Sequence, residues 1–322
     1  FSSFTSTIKL DIDSLRSSNN VFDSISAKFE LVGAKQSMFI HGKQDSSLIA
    51  EIAGLIDLSQ DIVILELNKV DLYYNKFHIK NADQISVAYD PSDNSRTFEF
   101  SKFKLTSNFL DVDLNGKISI NKESDFTAEI TDIDIPGIMQ YAYNPKSVYA
   151  VKESRKFKTP ISGKIRRISM YYKGFMDNPK LSMEMNTGVI RYQQIKVGRV
   201  DAFIDYADRN LSTDVLVSNA QGKGSLRLTG NIPFSNPLVT PDSSSYSDVL
   251  TRPVDVSLKA SNFQINFFSK VIPNFSEVRG FLDGEIKATG TVAEPILTGN
   301  AEITKGRFFF SWNGLYYRFE ST

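Results

Sequence analysis

The chain has 322 residues, of which 41% are hydrophobic and 23% charged, enough apolar material for a core and too much for a disordered segment. Lys+Arg and Asp+Glu both number 37, so the basic excess that nucleic-acid binding demands is absent. With no cysteine, disulfides, thiolate nucleophiles and cysteine-ligated metal sites are excluded, and the redox compartment stays open.

No run reaches the ~20 apolar residues of a membrane-spanning helix. No basic and then apolar leader opens the chain either. A start at Phe1 without an initiator Met reads as an internal segment, with any anchor or targeting signal outside it.

From the first residues onward, apolar and polar side chains alternate. Ile8, Leu10 and Ile12 are interleaved with Lys9, Asp11 and Asp13, and Ala27 and Phe29 with Lys28 and Glu30. Side chains alternate across a strand, so these runs predict strands with one apolar and one wetted face. The pattern returns at Leu110, Val112 and Leu114, then at Phe126, Ala128 and Ile130. It continues at Val200, Ala202 and Ile204, at Leu226 and Leu228, and at Val254, Val256 and Leu258. Ile286 and Ala288, then Ala301 and Ile303, complete it. Short polar turns such as Gly33-Ala34-Lys35 and Asp208-Arg209-Asn210 separate the runs and favour antiparallel neighbours. Helical spacing is limited to two segments near 137–143 and 265–272, each about two turns long and placed to cap or plug rather than to form a layer.

These two segments have matching surroundings. Each follows a strand ending at a glycine (Gly116, Gly230) and a second alternating strand (Phe126 to Ile135, Val254 to Phe263). Each is followed by a glycine-opened strand, Gly163-Lys164-Ile165 or Gly284-Glu285-Ile286, then by a G-x4-P corner, Gly174 to Pro179 or Gly290 to Pro295, and later by Gly188 or Gly306. Gly supplies positive φ and Pro is tolerated at strand starts, so G-x4-P suits a hairpin corner. Two copies in the same order predict a tandem unit. The expected organisation is a strand-rich continuation over 1–108, one repeat over 109–220 and a second over 221–322, all in one elongated β structure.

Catalytic patterns are lacking. His41 and His78 have no histidine or carboxylate partner at ligand spacing, and there is no G-x-S-x-G elbow or P-loop. Asp111/Asp113 and Asp132/Asp134 put carboxylates on one strand face, either as acid/base or metal pairs or as the wetted side of a half-buried strand. Lys152 to Arg167 is basic, suited to lipid phosphates or to solvent. Phe308, Phe309, Phe310, Trp312, Tyr316, Tyr317 and Phe319 form an aromatic terminus, either a contact surface or a paired terminal strand. No enzyme activity, metal or cofactor is expected.

Gly280-Phe281-Leu282-Asp283-Gly284, the run Gly290-Thr291-Val292-Ala293-Glu294-Pro295-Ile296-Leu297-Thr298-Gly299 and the aromatic stretch after Gly306 resemble the TamB/AsmA-like family, as does Gly222 to Gly230. The resemblance is best over Gly222 to Phe319, fair over Asn108 to Arg191 and generic before that. It implies a long, twisted, mainly antiparallel sheet folded into an open, taco-like trough in the bacterial periplasm. It also implies an inner-membrane anchor and an Omp85-type (TamA/BamA-like) outer-membrane partner engaged through other regions.

The implied role is conduction of phospholipid between the two membranes in support of outer-membrane biogenesis. Alternatives are a scaffold for insertion of outer-membrane β-barrels and a secreted β-solenoid or adhesin segment. Under the trough reading the alternating apolar residues named above, from Ile8 to Ile303, line a groove for acyl chains. Under an ordinary sandwich they fill a closed core.

Overall fold

The computed structural model describes residues 4–17, 20–44, 48–74, 77–91, 96–142, 160–193, 195–220, 223–235, 248–270 and 272–319. The protein is all-β and antiparallel, with two short helices. Strand accounts for 75% of it, which leaves no helical layer to cover a sheet face. There are two compact units, one built mainly from Phe1–Ile133 and the other mainly from Asp177–Thr322. The chain between is divided between them. The expected divisions at 108/109 and 220/221 fall inside the first and second units respectively.

The first unit is a meander. β1 (Thr5–Ile12) is followed by a small hairpin, β2 (Leu15–Ser17) and β3 (Asn20–Phe22). Then come β4 (Ser24–Val32), β5 (Lys35–Gln44), β6 (Leu48–Asp57) and β7 (Val63–Tyr74). β8 (Phe77–Asn81) and β9 (Ile85–Asp90) share the far edge of β7, and β10 (Thr97–Ser107) pairs with both. β11 (Asp111–Ile118) and β12 (Ser124–Asp134) complete it. β1 pairs with β4 across the β2–β3 hairpin, and β4 to β7 pair each with its successor, because their two- to five-residue connections reach only an adjacent antiparallel position.

After α1 (Ile135–Ala142) come β13 (Ile161–Ser162), β14 (Lys164–Phe175), β15 (Asn178–Thr187) and β16 (Ile190–Tyr192). β17 (Ile195–Ala207), β18 (Asn210–Ser218), β19 (Ser225–Pro233) and β20 (Asp255–Gln264) follow. A 3₁₀ turn (Asn266–Lys270) precedes β21 (Phe275–Gly290), β22 (Pro295–Phe310) and β23 (Leu315–Phe319). The β17–β18 hairpin turns on Asp208 and Arg209 with φ of 51° and 58°, the doubly positive pair that matches strand twist in a two-residue hairpin.

The backbone around the two short helical segments corresponds locally, in a register that differs from the expected one. Asp132 and Asn262 both adopt left-handed φ, 53° and 45°. The next residues, Ile133 and Phe263, are both buried. Two residues later the helical segments begin, where Ile135 N–H donates to the Gly163 carbonyl and Ile265 N–H to the Gly280 carbonyl, each at 3.2 Å. Gly163 therefore corresponds to Gly280, not to Gly284 as the sequence alignment expected.

Gly284 does not open a strand. It lies inside β21, just as Gly116 and Gly230 lie inside β11 and β19 rather than at their ends. The reason is close strand approach. A Cβ on Gly284 (φ 140°) would sit 2.7 Å from the Ala301 Cα, and one on Gly299 (φ 131°) 2.9 Å from the Ile286 Cα. Such mid-strand glycines let paired strands bend sharply. The G-x4-P segments are strand corners: Gly174 lies one residue from the end of β14 and Pro179 is the second residue of β15, while Gly290 ends β21 and Pro295 starts β22.

Candidate functional site, an apolar sheet face open to solvent

Register puts the alternating residues of each unit on one face. In the first unit Leu10 stands opposite Ala27, Ala27 opposite Ile40, Ile40 opposite Ile52, and Ile52 opposite Val70. Parallel rows run through Ile8, Phe29 and Met38 and through Ile12 and Ile25. On β10 to β12 the same face carries Leu105, Val112 and Ile130, then Phe103, Leu114 and Ala128, then Phe100, Gly116 and Phe126.

In the second unit one row is Met185, Ala202, Val215, Leu228, Leu258 and Ile286. Beside it lie a row of Met183, Ile204, Thr213, Gly230, Val256 and Ala288, and a row of Val200, Val217, Leu226, Ala260, Gly284 and Ala301. Ile303 faces Leu282 in the continuation of that face, and Val254, just before β20, donates its N–H to the Gly290 carbonyl.

These rows are not a closed core. Of the apolar residues expected on the face, only Ala128 and Ala202 are buried. Ile8, Leu10 and Ile286 are 63%, 49% and 41% exposed, and Ala301 and Ile303 are exposed too. The remainder, including Phe29, Leu114, Leu228 and Leu258, are half-buried. A sandwich core would bury them as a set.

Burial is nearly complete at a few points, at Ile85 and Val70 in the first unit and around the 3₁₀ turn in the second. There Phe263 (0% exposed), Ile265, Val278 and Ala260 form a cluster with Phe267, Phe268, Phe275, Leu282 and Phe308 packed on it. The turn touches both β17 and β21 and caps that end of the face.

The opposite face is polar and cross-linked between strands. His41 Nδ1 lies 3.4 Å from Glu51 Oε1, and Glu51 also binds the Lys69 ammonium. His78 Nε2 lies 2.7 Å from Asp71 Oδ1. Each histidine thus has the carboxylate partner that linear spacing did not reveal, because the partner lies on a neighbouring strand. Asp113 meets Lys104 at 3.7 Å, and Asp111 accepts a 3.3 Å hydrogen bond from the Ser107 N–H. Asp132 takes a left-handed φ of 53°, which breaks the regular alternation of β12 on which the expected Asp132/Asp134 face was based. Among the described residues no cluster of three metal-ligating side chains occurs. Of the basic segment, 152–159 lies outside the described residues, and Lys164, Arg166 and Arg167 are exposed on β14.

Arg227 holds Asp214 through two hydrogen bonds, one of 2.8 Å, and this keeps the Asp214 carboxyl below its ordinary range. The Lys69 ammonium does the same for Glu51, and the Ser257 hydroxyl, then Lys287, for Glu285. A carboxylate with a lowered folded-state pKa contributes stability that is complete above its unfolded value and is lost as pH falls through the folded one. The melting temperature is expected to stay flat from neutrality to about pH 5 and to drop below about pH 4. Calorimetry across that range checks this, and stability that rose on acidification would contradict it.

No family model, curated protein or solved structure matches the chain. No helix among the described residues is long and apolar enough to cross a membrane.

Proposed function

We propose that this chain is a segment of a lipid-conducting β trough that holds phospholipid acyl chains along its apolar face. The observation behind the reading is the exposure of that face: apolar rows run strand after strand through each unit, yet stay reachable from solvent. An uncovered apolar surface of more than a few hundred Å² marks a binding surface. Each acyl methylene moved onto it gains about 0.8 kcal/mol, so hydrocarbon tails are its natural filling. A row without polar interruption needs no specific pocket and lets a chain slide. In this reading the segment lies in the periplasm, tied to the inner membrane and to an Omp85-type partner through other regions, as its resemblance to TamB/AsmA-like proteins implies. Native mass spectrometry of the chain purified in mild detergents is the test. Co-purified phospholipid is the expected result, and its consistent absence would refute the reading.

A second reading, a scaffold that templates client strands, draws on a different feature. β23 pairs only with Gly306–Phe310, so the outer edge of β22 from Pro295 to Lys305 has no partner strand among the described residues. Photo-crosslinkers separate the two readings: lipid captured at Leu228 or Leu258 supports conduction, and client protein captured at Thr298 or Asn300 supports templating.

A further inference from the structure

We propose that the β22–β23 hairpin end docks onto an anionic phospholipid surface through an arginine row and an exposed aromatic tip. This deepens the lipid reading by giving it a point of contact with a membrane. Arg279, Arg307 and Arg318 stand directly opposite one another on β21, β22 and β23. Like charges in cross-strand register oppose each other, so the row weakens the sheet unless an anion meets it. Its internal compensation is small: Glu277 lies 3.6 Å from Arg307 and accepts a hydrogen bond from the Tyr316 hydroxyl. Among the described residues Arg279 and Arg318 have no ion pair, and the Arg307 Nε is shielded from water without a hydrogen-bond partner.

The tip beyond the row is apolar. Trp312, the chain's one tryptophan, is 82% exposed, and Leu315 is exposed beside it. The Ser311 N–H donates to the Asn274 carbonyl at 2.9 Å, which sets the loop carrying exposed Ile272 next to the tip. Tryptophan favours the headgroup level of a bilayer. The arginine pair lies four residues behind the turn, roughly 13 Å at ~3.3 Å per residue. Arginine side-chain length and a Debye length of about 8 Å span that gap to lipid phosphates. Aromatics and arginines together also suit single-stranded RNA, and exposed Tyr316 and Tyr317 do flank Arg318, but Trp312 and Leu315 carry the apolar exposure out to the hairpin turn beyond the arginines, as insertion into a bilayer requires.

The lone tryptophan makes the test direct. The whole chain is titrated with vesicles of phosphatidylglycerol and phosphatidylcholine, or of phosphatidylcholine alone. A blue shift of Trp312 emission and shielding from acrylamide are expected with the anionic vesicles and much less with the neutral ones. Arg279→Gln, Arg307→Gln and Arg318→Gln together should weaken partitioning on the order of a hundredfold, since each basic residue near an anionic surface contributes about fivefold.

Trp312→Ala, followed by co-sedimentation, should weaken it several-fold with the circular-dichroism spectrum unchanged. No shift with either vesicle, or a triple variant that binds like the parent, would overturn the proposal. So would a response to inorganic phosphate or single-stranded RNA without one to vesicles. A variant with a disrupted apolar face should keep the Trp312 response, which separates failure of this contact from failure of the groove.

Discussion

A double variant with Leu228→Asp and Leu258→Asp is expected to lose bound phospholipid at least tenfold while remaining folded. The two leucines are cross-strand partners in the middle of the second unit's apolar rows. A carboxylate there removes the contact of roughly one methylene each, and two methylenes at about 0.8 kcal/mol correspond to about a tenfold change in occupancy. The fold should survive because both positions are half-buried, so the new charges keep access to water. The expected loss of stability is roughly 1–3 kcal/mol in total. In a closed core, two unpaired buried carboxylates would cost several kcal/mol each and the unit would not fold. Native mass spectrometry and urea denaturation of the same sample decide between these outcomes. An unfolded variant would restore the sandwich interpretation, and a folded variant with full lipid occupancy would remove the groove.

Phe263→Ala should be the most damaging single truncation, lowering stability by about 3–5 kcal/mol. Phe263 is fully buried, and its ring meets Phe267 edge-on at 6.0 Å between centroids, so its loss opens a cavity under the 3₁₀ turn. That is about a fifth or more of the stability of a typical domain, which is roughly 5–15 kcal/mol. Ile8→Ala, on the exposed edge strand, should change stability by no more than about 0.5 kcal/mol. Urea midpoints for the two variants measure the contrast. A Phe263→Ala cost under about 1 kcal/mol would mean that the cap is not a packing centre.

Strand identity was legible because a period of two is a local signal that any half-buried strand must carry. A correspondence between the two segments was legible in glycine and proline spacing, and left-handed Asp132 and Asn262, each followed by a buried residue, fall within it. Its detailed register was not. Gly163 and Gly284 look alike in sequence, but only a hydrogen bond across the sheet selects Gly280 as the counterpart of Gly163. The partners of His41 and His78, and the alignment of three arginines that lie 28 and 11 residues apart in the chain, depend on strand pairing in the same way.

The amino-acid sequence by itself determined that this protein is all-β and antiparallel, with one apolar face per strand and two short helical caps. Alternation and short turns are local properties, and they leave the backbone little other choice. Only the tertiary structure decided that the apolar face is exposed at Ile8, Leu10, Ile286 and Ile303, half-buried over most of its length and closed at Ile85, Val70 and Phe263. Exposure depends on what packs opposite a side chain, and a leucine facing another sheet and a leucine facing water are written with the same alternating pattern.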